Sequence, residues 1–317
     1  SMELLPVISA AAAEAVALYL ITKCRCVLAP DIHKAGQPRI PKIGGLGLII
    51  AIPFLWLLWN PISSVAVAFF SVPLVMGVVG LLDDVYSINE YVRVAVSLGY
   101  PVALYAVGLM PKMIYVPLIG RFSDALLVGA ITVASYLIFS NAVNMFDVVN
   151  GVVPFSMSLI PLSSLVYGVV TDNEIAVYLS IASLAASLVL FVFNAYPAKL
   201  FNGNGGTHVL GAILSGLFLY TGASTFVLIA ALPYIINGIL IIFSSRGIKG
   251  RDKLSRPTKV INGLVYPNEN SGGVLTLVKS IVIDGPRDEW GIIKAIYALF
   301  LVSFTLSLLT IYIWRLI

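Results

Sequence analysis

Long runs without a charged side chain recur along the whole chain and limit what it can fold into. Residues 61–82, for example, contain no ionisable side chain. Such runs are about 17 to 22 residues long, the length that an α-helix needs to cross a ~30 Å hydrocarbon core. Hydrophobic residues make up 59% of the chain and charged residues 11%, against about 25% charged in a soluble domain. The sequence therefore predicts an all-α polytopic membrane protein.

We predict about ten membrane-spanning helices in a single integral membrane domain, residues 1–317. Nearly all Lys and Arg residues fall in the loops after odd-numbered spans, and the opposite side holds only Lys112, Arg121 and Arg315. Cytoplasmic loops carry the excess of positive charge. The odd-numbered loops are therefore expected in the cytoplasm and both termini outside. The spans are predicted at 4–22, 43–59, 63–82, 92–109, 124–141, 152–170, 175–193, 207–222, 224–243 and 291–314.

Two loops are expected to contain strands. The longest, 244–290, is predicted as a cytoplasmic insertion with a small β-hairpin, because β-branched residues at 264–266 and 274–283 flank a turn cluster at 267–273. The outer segment 113–121 is too short to span and is predicted to form a second hairpin.

Two adjacent carboxylates, Asp83 and Asp84, follow the uncharged run at 61–82. Neighbouring carboxylates repel each other and stay ionised only beside a cation or water. One interpretation is a hydrated helix end, where charge is tolerated. The other is a metal or phosphate site at the membrane surface.

Two further polar segments lie on the predicted cytoplasmic side. Segment 31–45 combines cations with Gly44-Gly45, and glycines let a backbone approach a phosphate or base edge; a basic loop that follows the charge bias is the alternative. In segment 140–151, Asn144 and Asp147 are three residues apart and would share a helical face as oxygen ligands. A polar turn is the alternative there.

Two more segments extend the pattern. Three glycines at 203–206 lead into a helix whose N-terminus can face an anion, although a connector capped by Thr207 would look the same. His208 is interpreted as a hydrogen-bonded interior residue. The basic run 246–259 suits a phosphate or anionic lipid headgroups. Oxygen ligands, glycine turns and a basic loop together favour Mg²⁺ and a diphosphate over zinc.

Four motifs, and the order in which they occur along the chain, resemble those of the polyprenyl-phosphate N-acetylhexosamine-1-phosphate transferases. They are Pro-x-x-Gly-Gly at 41–45, Asp83-Asp84, Asn-Ala-Val-Asn-x-x-Asp-x-x-Asn-Gly at 141–151, and Phe-x-Gly-x-x-Gly-Thr at 201–207. The last loop has no His-x-His motif and is rich in β-branched residues. It is therefore more similar to the dolichol-type branch than to the peptidoglycan branch.

This resemblance implies an Mg-dependent transfer of N-acetylhexosamine-1-phosphate, with GlcNAc-1-phosphate as the expected group, from a UDP-sugar to a polyprenyl or dolichyl phosphate, releasing UMP. The implied cofactor is Mg²⁺, or Mn²⁺ in its place. The implied partners are UDP-N-acetylhexosamine, the lipid phosphate, membrane lipid and a second copy in a homodimer, with no nucleic acid. The implied location is the plasma membrane of a prokaryote, expected to be archaeal, with a cytoplasmic active site.

The resemblance also assigns roles to residues of this chain. The catalytic residues are Asp83, Asp84 and Arg93; the metal ligands are Asn144, Asn204 and Asp147; the nucleotide-binding residues are Gly44, Gly45, Asn150 and Phe201; and the phosphate- or sugar-binding residues are Lys34, Arg251 and Arg256.

One departure from the family pattern keeps other hypotheses open. Asn204 stands where the family usually has an Asp ligand, and an amide oxygen coordinates without contributing charge. The alternatives are a catalytically impaired or engineered-inactive member that binds nucleotide sugar or lipid phosphate, and a lipid-phosphate or nucleotide-sugar transporter. A transporter would carry charge at mid-membrane, whereas here the charges cluster at one predicted surface.

Overall fold

The computed structural model describes residues 4–58, 64–246, 256–269 and 274–317. Most of this part of the chain is helical. The helices are α1 (Leu5–Cys24), α2 (Gly45–Leu58), α3 (Ser64–Tyr86), α4 (Glu90–Ala106), α5 (Ala125–Phe146), α6 (Val152–Val170), α7 (Glu174–Asn194), α8 (Gly203–Tyr220), α9 (Ser224–Ala230), α10 (Leu232–Ser244), α11 (Leu277–Val282) and α12 (Glu289–Leu316). The strands are β1 (Leu28–Pro30), β2 (Arg39–Pro41), β3 (Ile114–Val116), β4 (Gly120–Phe122), β5 (Thr258–Ile261), β6 (Leu264–Pro267) and β7 (Arg287–Asp288).

Every predicted span coincides with helical structure, and the prediction of a polytopic helical membrane protein is confirmed at that level. In the described residues, six helices are long and apolar enough to cross a membrane: α1, α3, α5, α6, α7 and α12. The predicted span 224–243 differs, because it is two helices, α9 and α10, bent by 69°. Pro233, in the first turn of α10, has no N–H to continue the α9 hydrogen-bond ladder. Ten crossings and the outward position of both termini stay predictions.

Helix α8 lies at the centre of the bundle and packs against α2, α3, α5, α6 and α7. Small residues allow these helices to approach closely. A Cβ on Gly80 of α3 would lie 2.6 Å from the carbonyl oxygen of Asn204, and one on Gly211 would lie 2.5 Å from the Cα of Ser140. The backbones of α3 and α5 therefore lie nearly in contact with the backbone of α8.

The last loop contains the predicted hairpin, but the predicted turn is wrong. Strand β6 pairs with β5, with Ile261 opposite Leu264, and β7 joins on the other side of β6. The turn is Asn262-Gly263, and both residues have positive φ, as favoured turns of two-residue hairpins require. The predicted second strand is instead helix α11, whose first turn is capped by Thr276. The hairpin predicted at 113–121 is confirmed as β3 and β4; its position outside the membrane stays a prediction.

Candidate active site

The two adjacent aspartates end up in different environments where α3 meets α8. Asp84 is 6% exposed. Its two carboxylate oxygens accept the backbone N–H groups of Asn204 at 2.9 Å and Gly205 at 3.0 Å. These N–H groups belong to the first turn of α8, which has no intrahelical acceptor for them. Asp84 therefore fixes the start of α8 to the end of α3.

Asp83, in contrast, is held by side chains. Its Oδ2 accepts from the Arg93 guanidinium of α4 at 2.8 Å and from the Asn204 amide at 2.8 Å. An amide N–H beside the carboxylate avoids the repulsion that a second carboxylate would create there. Asp83 thus joins three elements, α3, α4 and α8, at one oxygen atom.

A cavity of about 450 Å³ opens beside Asp83. Predicted site residues from four helices contribute to its wall: Asp83, Arg93, Asn144 and Asn204. The wall continues along apolar residues of α4 and α5, including Val94 and Leu137. The cavity is therefore mainly charged and polar, with a smaller apolar part of its wall on α4 and α5.

Some residues of segment 140–151 contact this cavity, and others contact the loop at 198–202. Asn144 Oδ1 accepts from Thr207 Oγ1 at 2.9 Å. Asp147, a predicted metal ligand, does not line the cavity; its Oδ1 accepts from Asn202 Nδ2 at 3.0 Å. The Oδ1 of buried Asn202 has no hydrogen-bond partner in the described part of the chain. The expected helical face shared by Asn144 and Asp147 does not form, because α5 ends at Phe146.

Gly44 and Gly45 are buried against the start of α8. Their N–H groups donate to the carbonyl oxygens of Phe201 and Asn202, each at 3.0 Å. A Cβ on Gly45 would lie 2.3 Å from the backbone nitrogen of Gly206. The glycine pair therefore lets one segment of protein backbone approach another, and its predicted nucleotide contact stays a prediction.

A second polar group, the Lys34 cluster, consists of Asp31, Lys34, Asn150 and Glu289. The Lys34 ammonium donates to Asp31 Oδ2, to Asn150 Oδ1 at 2.6 Å and to Glu289 Oε2 at 3.2 Å. An ammonium has three N–H donors, so all three are used within the cluster. No donor remains for the phosphate that the sequence assigned to Lys34.

His33 stands beside this cluster. A carboxylate oxygen of Asp31, one of Glu289 and a ring nitrogen of His33 lie within 4.8 Å of one another, a spacing that could hold a metal ion. Burial lowers the pKa of His33, although the charges of Glu289 and Asp31 act in the opposite direction. The Lys34 ammonium already supplies the positive charge that pairs with Asp31 and Glu289.

The remaining predicted residues take less central positions. Phe201 is half-buried, and its backbone N–H donates to the Pro41 carbonyl. Arg256 is exposed just before β5. Arg251 lies outside the described residues. The structure thus brings neither Phe201 nor Arg256 into the wall of the cavity.

Lys42, His208 and Glu289 were not predicted as site residues, but the fold places them at these sites. The interpretation of His208 as a hydrogen-bonded residue is confirmed. Lys42 and His208 line the cavity. His208 Nδ1 pairs with the Asn204 carbonyl at 2.7 Å; a carbonyl only accepts, so Nδ1 carries the hydrogen. The position of His208 four residues after Asn204 on one helix was a usable signal. Glu289, which begins α12, gave no signal because it lies far from every motif.

Fold and site together define an integral membrane protein of the polytopic helical class, with a charged cavity where several helices end. The Glycosyl transferase family 4 pattern matches residues 66–222, which include the Asp83, Asn144 and Asn204 positions.

Relatives support the same assignment. A Sulfolobus acidocaldarius protein is 31% identical over 69% of this chain and 70% of its own length. A Saccharolobus solfataricus protein is 34% identical over 66% of this chain and 67% of its own length. Both are provisionally named UDP-N-acetylglucosamine–dolichyl-phosphate N-acetylglucosaminephosphotransferase. A Phospho-N-acetylmuramoyl-pentapeptide-transferase of Clostridium beijerinckii is 29% identical over 69% and 72% of the two chains. The chain belongs to glycosyl transferase family 4.

Proposed function

We propose that this protein transfers N-acetylglucosamine-1-phosphate from UDP-N-acetylglucosamine to a polyprenyl or dolichyl phosphate and releases UMP. The names of the archaeal relatives support this donor and this class of acceptor. The observation that carries the proposal is the single cavity lined by Asp83, Arg93, Asn144 and Asn204 from four helices. Its apolar wall at Val94 and Leu137 suits the first isoprene units of a lipid phosphate.

The donor atoms at the cavity fit the divalent cation of the proposal. Asp83 offers carboxylate oxygens, and Asn144 and Asn204 offer amide oxygens, the hard ligands that Mg²⁺ takes. With one carboxylate among the three, the site carries less negative charge than a site with an Asp in place of Asn204. When bound, the cation would neutralise charge on the diphosphate and polarise its phosphorus.

The protein's own residues have separable roles in this proposal. Arg93 and Lys42 supply positive charge at the cavity for phosphate oxygens, and Asp83 orients the attacking lipid phosphate or accepts its proton. Asp84 holds the start of α8 in place and thereby positions Asn204. Catalysis then rests on alignment of two reactants and on charge neutralisation.

The site is proposed to face the cytoplasm, because the basic loops are predicted on that side of the membrane. The archaeal relatives support an archaeal cell as its source. The test of function is UMP release by purified protein supplied with UDP-N-acetylglucosamine, a polyprenyl phosphate and Mg²⁺. Release that requires both substrates supports the proposal. Folded protein that releases no UMP with either Mg²⁺ or Mn²⁺ contradicts it.

Asn204 favours one second candidate function, a family member that binds nucleotide sugar or lipid phosphate without turnover. Its neutral amide donates a hydrogen bond to Asp83 instead of adding a charged ligand. Calorimetric binding of UDP-N-acetylglucosamine without UMP release, in both the wild type and Asn204→Asp, would favour this candidate over the enzyme.

A further inference from the structure

We propose that Glu289 and Asp31, acting through Lys34, are positioning residues that lock the Asn150 amide in one orientation and so make the site selective for a base with a carbonyl at position 4. The inference rests on the proposed function, in which Asn150 reads the base of the nucleotide. It adds residues outside the 66–222 family match and gives Lys34 a role other than contact with phosphate.

The orientation of the Asn150 side chain follows from its partners. Its Oδ1 accepts from the Lys34 ammonium at 2.6 Å and from the Ala198 backbone N–H at 3.1 Å. An amide nitrogen cannot accept a hydrogen bond, so the oxygen must face both donors. The Nδ2 group is therefore directed away from them, and it has no hydrogen-bond partner within the described residues.

Glu289 holds both the backbone and the side chain of Asn150 in place. One carboxylate oxygen accepts the Asn150 backbone N–H at 3.0 Å, and the other accepts from Lys34 at 3.2 Å. Glu289 and Asp31 are 3% and 2% exposed. Charged partners this deeply buried make strong hydrogen bonds and exchange little with water. The Lys34 ammonium, which also lies over the Tyr196 ring, has little freedom to move.

The charge of the cluster opposes phosphate and suits a neutral base. Two carboxylates and one ammonium leave a net charge of about −1 when His33 is neutral. The outward Nδ2 of Asn150 is a donor, and it matches the O4 acceptor of uracil. Cytosine presents an amino donor at the same position, which leaves two donors facing each other. The selectivity therefore depends on which way the amide points.

The loop from α7 to α8 also connects the Lys34 cluster with the nucleotide side of the site. Ala198, which fixes Asn150, lies three residues before Phe201 in the loop from α7 to α8. Phe201 offers an aromatic face on which a base could stack. Asp147, three residues before Asn150, is hydrogen-bonded to Asn202 in the same loop. The base-reading amide and the catalytic cavity are therefore joined by one short loop.

The test compares UDP and CDP binding by calorimetry in wild type, Glu289→Gln and Asp288→Asn. Asp288 is exposed and caps α12 through its side chain, and Asn also caps, so this control removes the same charge one residue away. We expect Glu289→Gln to weaken UDP binding about tenfold, the size of a lost charged hydrogen bond. CDP binding should change less than about twofold, and Asp288→Asn should match wild type.

A double-mutant cycle separates positioning from simple loss of structure. In the Glu289→Gln variant, the new amide oxygen can still accept the Asn150 backbone N–H, so the remaining effect of Glu289 acts through Lys34. The double variant Lys34→Met with Glu289→Gln should therefore lose no more UDP selectivity than Lys34→Met alone. Should Glu289→Gln fail to fold, Asp31→Asn removes the other carboxylate on Lys34 and leaves the Asn150 backbone contact intact.

An unchanged UDP-to-CDP ratio in folded Glu289→Gln and Asp31→Asn proteins would overturn the inference and leave the proposed function standing. A wild type that releases no UMP and binds no UDP would overturn both.

Discussion

The cavity at Asp83 and the Lys34 cluster are built from the same kinds of residues, yet they differ in how far their partners are fixed. In the cavity, Asp83 and Arg93 have side chains that are 10% and 23% exposed and that meet in an open space. In the cluster, the two carboxylates are almost fully buried and every Lys34 donor is used. The comparison teaches that charge alone does not mark the reacting centre. Groups that can exchange partners with a substrate can react, whereas saturated groups can only orient.

The largest effect on activity should come from a substitution in the cavity at Asp83. Asp83→Asn removes the carboxylate that pairs with Arg93 and faces the cavity, and we expect UMP release to fall roughly 10²- to 10⁴-fold. Asp288→Asn should leave the rate unchanged. A rate within threefold of wild type for a folded Asp83→Asn protein would show that the reaction occurs elsewhere.

The substitution Asn204→Asp tests the role of charge in the cavity. The new carboxylate would add a charged ligand, so Mg²⁺ should bind at least about tenfold more tightly, with activity equal to or above wild type. Without metal, two carboxylates would face each other, so the Tm in EDTA should fall by about 2 °C or more.

Thermal melts with and without Mg²⁺ measure both effects of Asn204→Asp. Asn89→Asp, which adds the same charge at the cap of α4, serves as the control. An equal response to Mg²⁺ in both variants would contradict a specific ligand role for residue 204.

Gly45→Ala tests whether the glycine pair acts by packing. Its new Cβ would meet the backbone of Gly206 at 2.3 Å, and overpacking costs about 1–3 kcal/mol. Gly99→Ala is the matched control, since nothing lies within 4 Å of a Cβ there and a helix interior gains roughly 0.5–1 kcal/mol from the change. Equal melting temperatures for the two variants would argue against the packing role.

The smallest effect should be a pH dependence of stability near the Lys34 cluster. Burial lowers the pKa of His33, so the unfolded chain binds more protons than the native protein between the lowered value and about 6.5. Stability should therefore rise with pH through that window and be lost as pH falls. His33→Gln should flatten the slope seen in chemical denaturation between pH 5 and 7, and an unaltered slope would exclude His33 as its source.

The fold was largely predictable because burial in lipid imposes a strong length and polarity pattern on each helix. The break at Ala231 in the predicted span 224–243 was overlooked, although Pro233, two residues later, is a local signal for it. In the last loop, the Asn262-Gly263 turn was overlooked in favour of the larger turn cluster at 267–273. A two-residue turn with positive φ was the stronger local signal.

The candidate site was predictable only in part. Motif spacing correctly brought Asp83, Asn144 and Asn204 to one cavity. It could not distinguish Asp83 from Asp84, because their separation depends on the N–H groups of α8 that only Asp84 reaches. It also could not connect Lys34 with Glu289, since the two are brought together by the packing of α12 and not by any local pattern.

The most direct test of the account is a structure of the protein with UDP and Mn²⁺, in which the anomalous signal locates the metal. We expect the peak in the cavity, with oxygen ligands from Asp83, Asn144 and Asn204 at about 2.0–2.2 Å, and the uracil against Asn150. A peak between Asp31, His33 and Glu289, with the cavity at Asp83 unoccupied, would contradict it.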